Sequence, residues 1–192
     1  MAKRFILITS PPACGKTRLA KRLATALDDT VYLDKDTLIP LSKQIFKVAG
    51  EPYNRSSDFF QQNIRDYEYE VIVNLGLEAI KYATNVIINA PFTQEVRQKN
   101  FVEDFKARLS KYGAKLLVIW ISATPELCKY RMKKRNSDRD KWKIENWDEY
   151  VKGVDFSVPN IDQEELFIHK NLTDDEADEH FERLIKKIKD IK

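Results

Sequence analysis

The chain is poor in cysteine, has no long apolar run and carries no large excess of one charge. Its only two cysteines, Cys14 and Cys128, stand far apart in 192 residues. Neither a disulfide framework nor a CxxC zinc or redox motif can be built from them, and a reducing, cytoplasmic setting is expected. After Met1 to Arg4 the apolar stretch Phe5 to Ile8 is shorter than the roughly seven residues of a secretory core. The longest uncharged apolar block, Leu116 to Ile121, is too short to span a bilayer, so neither export nor a membrane anchor is expected. Lys and Arg number 33 against 30 Asp and Glu, a net charge of +3. That balance does not fit a dedicated nucleic-acid or membrane-surface binder. Disordered, collagenous and low-complexity classes are excluded by composition.

What is present is enough apolar material for one core: hydrophobic side chains make up 43% and aromatics 11%. A single domain over residues 1–192 is expected. Short β-rich runs, Phe5 to Thr9, Val31 to Leu33, Val86 to Asn89, Leu116 to Ile121 and Leu166 to His169, alternate with stretches of helical spacing. Their nearly unbroken hydrophobicity marks parallel strands covered on both faces. Among the helices, one stops at Ala49-Gly50 before Pro52. A long one runs roughly from Ser57 to Ala83, with Phe60, Ile64, Tyr67, Val71 and Leu75 on one face. Phe101, Phe105 and Leu109 mark another before Gly113. Thr124-Pro125-Glu126 is a helix start, and Thr173 to Glu176 is a capping box opening a final helix whose Phe181, Leu184, Ile185 and Ile188 face inward. The implied class is α/β, a doubly wound three-layer sandwich.

The first strand runs into Ser10-Pro11-Pro12-Ala13-Cys14-Gly15-Lys16-Thr17, with helical sequence from Lys16 onward. Seven of these eight positions fit the phosphate-binding pattern G-x-x-x-x-G-K-[ST]. The loop from Pro12 to Thr17, with consecutive backbone N–H groups from Ala13 onward and a helix N-terminus, can surround a polyphosphate, Lys16 can reach its outer oxygens, and the Thr17 hydroxyl can ligate Mg²⁺. Ser10 replaces the first glycine, which tests whether the opening turn tolerates a side chain. Cys14 reads as a small loop residue and not as a nucleophile, since no histidine pairs with it.

With Leu33-Asp34-Lys35-Asp36 after the second strand and the arginine-rich stretch around Arg131, this loop resembles that of the small P-loop kinases and their AAA-type ATP-binding relatives. That group includes the zeta-toxin, chloramphenicol phosphotransferase, gluconate kinase and polynucleotide kinase families. The resemblance implies a P-loop NTPase fold of nucleoside monophosphate kinase type: about five parallel strands with helices on both faces, a substrate-binding helical region after the second strand, and a lid, here 131–147, closing over ATP and Mg²⁺. It also implies that Asp36, in Asp36-Thr37-Leu38, is the catalytic base. Arg131 would lie against adenine, and Arg135 and Arg139 would touch phosphate.

The residues support part of this on their own. Asp34 and Asp36 end the second strand, the edge where ligands bind in open α/β sheets. Asp36 can accept a substrate hydroxyl's proton or merely cap a helix; Asp34 is the structural or Mg²⁺-linked one of the pair. Asn89 occupies the end of the third strand, where many P-loop proteins carry the aspartate that holds Mg²⁺. From Arg131 to Lys143 seven basic residues face two acidic ones, leaving +5 in this segment and −2 elsewhere. Trp142, Trp147 and Tyr150 are expected to hinge the lid, and His169 and His180 read as isolated structural residues. The leading function is an ATP and Mg²⁺ dependent phosphotransferase acting on a small molecule, with Arg55 or Arg65 shaping the acceptor site. Two alternatives stand beside it, a polynucleotide 5′-hydroxyl kinase and a non-catalytic ATP-binding switch.

Overall fold

The five apolar runs form the five strands. These are β1 (Lys3–Thr9), β2 (Thr30–Asp34), β3 (Asn85–Asn89), β4 (Ala114–Ser122) and β5 (Leu166–Lys170). The structure, a computed structural model, describes residues 2–98 and 100–191. Met1, Lys99 and Lys192, which the expected domain 1–192 includes, lie outside the described residues. The strands form one sheet in the order β2-β3-β1-β4-β5, and every pairing is parallel. Strand alternation sends Phe5, Leu7, Val86, Ile88, Val118 and Trp120 into one core and Ile6, Ile8, Ile87, Leu117, Ile119 and Ile121 into the other. Both faces are therefore dry, as unbroken hydrophobic strands require. The order places β3 between β1 and β2, so β1 and β2 do not jointly flank a crevice, and the end of β3 stands between the loop after β1 and the acids after β2.

The helices are α1 (Lys16–Ala26), α2 (Ile39–Ala49), α3 (Asp58–Phe60), α4 (Asp66–Ala79), α5 (Phe101–Ser110), α6 (Pro125–Arg135), α7 (Lys141–Glu145), α8 (Trp147–Lys152) and α9 (Asp174–Lys189). Helices α4 and α5 cover one sheet face, and α1, α6 and α9 supply Leu23, Cys128, Phe181 and Leu184 to the other. Local chemistry sets the ends. The Thr124 hydroxyl accepts from the Leu127 amide and starts α6, the Thr173 hydroxyl accepts from the Glu176 amide and starts α9, and Gly50 closes α2 with φ 72°. These are the stops and starts that the sequence marks.

The long helix departs from expectation. A π turn, Gln61–Arg65, joins α3 to α4. Its wider turn carries one extra residue and rotates the buried face. Phe60 and Ile64 are buried as expected, but beyond the turn Glu68, Tyr69, Ile72, Val73 and Gly76 point inward, while Tyr67, Val71 and Leu75 are exposed. Gly76 is required there: a Cβ would lie 2.7 Å from the Phe5 ring and 2.9 Å from Ile88. The two histidines are also not isolated, since their rings stand edge to face with centroids 6.1 Å apart. Among the described residues, however, no cluster of three or more His, Cys, Asp or Glu could hold a metal ion. No helix of the described residues is long and apolar enough to cross a membrane.

Candidate functional site

The loop from Ser10 to Lys16 turns back on itself at the C-terminal edge of the sheet. Its left-handed positions are Ala13 (φ 65°) and Gly15 (φ 106°); Ser10 does not need positive φ, which explains why a residue with a side chain serves there. A Cβ on Gly15 would fall 2.2 Å from the Asn171 amide nitrogen. Asn171, just after β5, donates from Nδ2 to the Cys14 carbonyl at 2.6 Å and clamps the loop from outside. The Lys16 ammonium folds across the loop and donates to the carbonyls of Ser10 and Pro11, each at 2.9 Å. Burial pushes its amine down to about 8, against the pull of nearby Cys14 and Asp36. A half-buried ammonium held by two neutral carbonyls and the Ser10 hydroxyl is a charge in want of an anion.

The end of β3 links this loop to β2. Asn89 Nδ2 donates to the Thr17 hydroxyl at 3.0 Å and to Asp34 Oδ2 at 2.9 Å. The parallel register sets Asp34 directly beside Asn89. Asp34 also receives the Tyr32 hydroxyl at 2.7 Å and the Asp36 amide at 3.0 Å, so it is Asp34 that caps the short 3-10 turn Lys35–Leu38. The Asp36 carboxylate is left free of capping and pairs with the Arg139 guanidinium. Burial raises the Asp36 carboxyl, but Arg139, Lys35 and Arg55 together outweigh this and hold it below the usual carboxylate range.

The arginines approach from the opposite wall. Arg131 and Arg135 lie on α6, and Arg139 lies on the 3-10 turn Asp138–Asp140 that follows it. Arg131 donates to the carbonyls of Asn171 at 3.1 Å and Cys14 at 3.4 Å, bracing the phosphate loop. Arg135 grips the buried Asp140 through Nε and Nη2, at 2.9 and 2.6 Å. Lys141 pairs with Asp138 at 2.9 Å. The basic run is thus partly neutralised by acids within the segment and by Asp36 across the cleft. The Lys143 ammonium has no carboxylate partner among the described residues and donates to the Arg139 carbonyl at 2.7 Å; burial pushes its amine down to about 8. Of the expected hinge aromatics, Trp147 packs on Tyr150 with ring centroids 5.5 Å apart, whereas Trp142 faces the cleft.

The remaining wall comes from the π-turned helix. Arg55 reaches Glu68 with two hydrogen bonds, at 2.7 and 2.6 Å, and Lys35 and Ser42 bind the same carboxylate. Glu68 is 4% exposed, and the two cations hold its carboxyl well below the usual range despite the burial that opposes them. Arg65 pairs with Glu95 and lies over the Tyr69 ring, while Arg55 lies over Phe60. Sequence reasoning missed Glu68, Asn171 and Lys143. Glu68 was detectable only as a carboxylate four residues from both Ile64 and Ile72; nothing local marks Asn171.

These walls enclose one cleft of about 740 Å³, lined by Pro12, Ala13, Gly15 and Lys16 of the loop, Thr17, Asp34, Asp36, Asn89, Arg55, Arg65, Phe60, Tyr69, Arg131, Arg135 and Arg139 among others. Cys14 is the one loop residue between Pro12 and Thr17 that does not line it. Apart from Cys14, the site residues that sequence reasoning selects therefore line a single space.

A family profile described as an AAA domain matches residues 6–156. Among curated protein sequences none matches the chain. Solved structures of similar fold include a kinase-like protein from Chloroflexus aurantiacus, 15% identical with TM-score 0.66, the alignment covering 98% of both chains. A gluconokinase from Sinorhizobium meliloti is 12% identical with TM-score 0.56, over 97% of this chain and 95% of its own. A shikimate kinase from Bacteroides thetaiotaomicron is 14% identical with TM-score 0.53, over 98% of this chain and 99% of its own. At these identities the likeness is one of fold, the three-layer P-loop kinase fold.

Proposed function

From the premise that the chain belongs to the AAA-domain family and has the fold of P-loop kinases, we propose that it transfers a phosphoryl group from ATP to a small-molecule acceptor. The observation that carries this reading is the convergence of a phosphate loop, a carboxylate with no capping duty and three arginines on one cleft. In this reading the backbone N–H groups of Ala13 to Thr17 and the Lys16 ammonium receive the polyphosphate, which replaces two carbonyl partners with charged oxygens.

The residues present fit Mg²⁺. The Thr17 hydroxyl and the Asp34 carboxylate are hard oxygen donors joined through the Asn89 amide, and Asn89 Oδ1 is buried without a hydrogen-bond partner. Mg²⁺ commonly takes one or two protein oxygens, keeps several waters, and uses substrate phosphates for the rest. Thr17 would hold it directly and Asp34 through water; bound there it would neutralise charge developing on the phosphate oxygens.

Asp36 is the base. Its carboxylate stays ionised at neutral pH and can accept the acceptor's hydroxyl proton once Arg139 lets go. The arriving phosphoryl group gives Arg139 a more highly charged partner than one carboxylate. Arg139 thus moves from base to phosphate as the segment 131–147 closes, a lid role that also shields the site from water. Arg55, Arg65, Phe60 and Tyr69 form the acceptor end. A polynucleotide acceptor would demand an extended basic groove, and the −2 balance outside the lid segment weighs against it.

The test is to incubate the protein with ATP, Mg²⁺ and a metabolite extract, follow ATP consumption with and without extract, and identify the phosphorylated product by mass spectrometry. Acceptor-dependent consumption with a new phosphorylated metabolite is the expected result. Tight ATP binding with no product would favour the ATP-switch reading, and transfer only to 5′-hydroxyl oligonucleotides would favour the polynucleotide kinase.

A further inference from the structure

The fold brings together the chain's only two cysteines, which lie in different elements and serve no step above. Cys14 sits in the phosphate loop between Ala13 and Gly15, both at positive φ, and Cys128 sits on α6. Both are buried, unbridged thiols with their sulfurs 3.3 Å apart. We infer that Cys14 and Cys128 form an oxidisable dithiol, a modification site for peroxides, and that its disulfide locks the phosphate loop to α6 and disables the cradle.

Three features carry this. The first is distance: a disulfide needs about 2.05 Å between sulfurs, so the pair must close by roughly 1.2 Å. A loop already turning through two left-handed residues can supply that movement more readily than a strand. The second is asymmetry. The hydrogen bond between the two sulfurs, in which either can donate, together with the Lys16 and Arg131 charges holds Cys14 down to about 7 despite its burial, while Cys128 is pushed far up. Cys14 is then the attacking thiolate and Cys128 the resolving thiol. The third is leverage. The Cys14 carbonyl is the atom clamped by Asn171 and Arg131, and Arg131 stands one helical turn after Cys128. Drawing Cys14 toward α6 displaces the anion-binding amides on either side of it and ties them to the helix that bears Arg131 and Arg135.

The chemistry balances with hydrogen peroxide as oxidant. The Cys14 thiolate attacks one peroxide oxygen, the O–O bond breaks, and hydroxide leaves with a proton as water, giving a sulfenic acid. The Cys128 sulfur then attacks the Cys14 sulfur, the S–O bond breaks, and the second hydroxide leaves as water with the Cys128 proton. Two thiols are oxidised by two electrons and one peroxide is reduced to two waters. In a reducing compartment such a bond is transient, as a sensor requires.

The regulatory half of this inference rests on the ATP-binding reading, whereas the dithiol chemistry does not. The experiment therefore has two readouts. The full chain is treated with hydrogen peroxide, with and without ATP; intact mass is measured after alkylation of remaining thiols, and ATP affinity by calorimetry. The expected product is a monomer about 2 Da lighter that resists alkylation. It should show weakened ATP binding that dithiothreitol restores. With ATP at ten times its dissociation constant, oxidation should slow roughly tenfold, because only about one loop in eleven is then free of nucleotide and able to move toward α6. Cys128→Ala should bind ATP when reduced and, on oxidation, gain oxygen mass instead of losing 2 Da. Wild-type protein that keeps both thiols, or cross-links only between chains, would overturn the dithiol. A disulfide form that binds ATP as tightly as the reduced protein would overturn the locking. Reduced protein without ATP affinity would refute the ATP-binding reading; hydrogen exchange at residues 11–17 would then decide the locking, unchanged protection on oxidation refuting it.

Discussion

Replacing Asp36 by asparagine separates the base from every structural role the position has. Asparagine keeps the shape and can still accept a hydrogen bond from Arg139, but loses the charge. The ion pair it weakens is solvent-screened, with Asp36 39% and Arg139 25% exposed, so the loss is at most about 1 kcal/mol. No cap is lost, since Asp34 caps the turn. The melting temperature should therefore move by no more than about 4 °C. Transfer is another matter: an amide cannot take the proton, and the rate should fall on the order of 10²- to 10⁴-fold, about 2.7 to 5.5 kcal/mol of barrier. Thermal unfolding, ATP calorimetry and phosphoryl transfer to the identified acceptor should be run on one preparation. A folded Asp36→Asn protein that binds ATP and turns over at the wild-type rate would remove Asp36 as the base. A drop of several kcal/mol in stability would show that the carboxylate is structural.

Lys16→Ala should abolish most ATP affinity without unfolding the chain. In the wild type the amine, depressed to about 8, is protonated more readily in the phosphate-bound and unfolded states, so ATP affinity should fall as pH rises through about 8; calorimetry at pH 7 and 9 measures this. Glu68→Gln leaves Lys35 and Arg55 buried without their carboxylate and should cost about 3–5 kcal/mol in a urea titration. Residues 131–147 should gain protection from hydrogen exchange when ATP binds, because Arg139 exchanges a screened carboxylate for phosphate; equal protection with and without nucleotide would leave the segment an ordinary surface.

The sheet was legible because its residues obey one simple constraint. A parallel strand buried on both faces must be apolar at every position, and Phe5 to Ile8 or Leu116 to Ile121 could be little else. Helix ends were legible where a single residue carries the reason, as at Gly50, Thr124 and Thr173. The face of the long helix was not, because Phe60, Ile64, Tyr67, Val71 and Leu75 keep a helical period that the π turn interrupts; an inserted residue leaves no mark in composition. The phosphate loop could be read as a motif, but its clamp, Asn171, lies over 150 residues away and is joined to it only by strand order. For the same reason the two cysteines looked unrelated, and the Arg139–Asp36 pair, spanning the cleft, was invisible to any local pattern.

Strand order also accounts for the substitution at Asn89. The end of β3 is the place from which an aspartate would face Thr17, yet here it carries an amide that donates both to Thr17 and to Asp34. With β3 between β1 and β2, in-register pairing brings Asp34 alongside Asn89, so a carboxylate stands one strand farther from the loop but within one hydrogen-bonded step of it. Two carboxylates side by side at that edge would repel each other and raise the affinity of one for a proton. A single carboxylate linked through a donating amide avoids this, and places Asp34 beside the proposed Mg²⁺ position. The charge that Asn89 gives up is therefore moved and not lost. In this arrangement Asp34 also anchors the turn that presents Asp36, which ties the proposed metal end of the cleft to the proposed base through one residue.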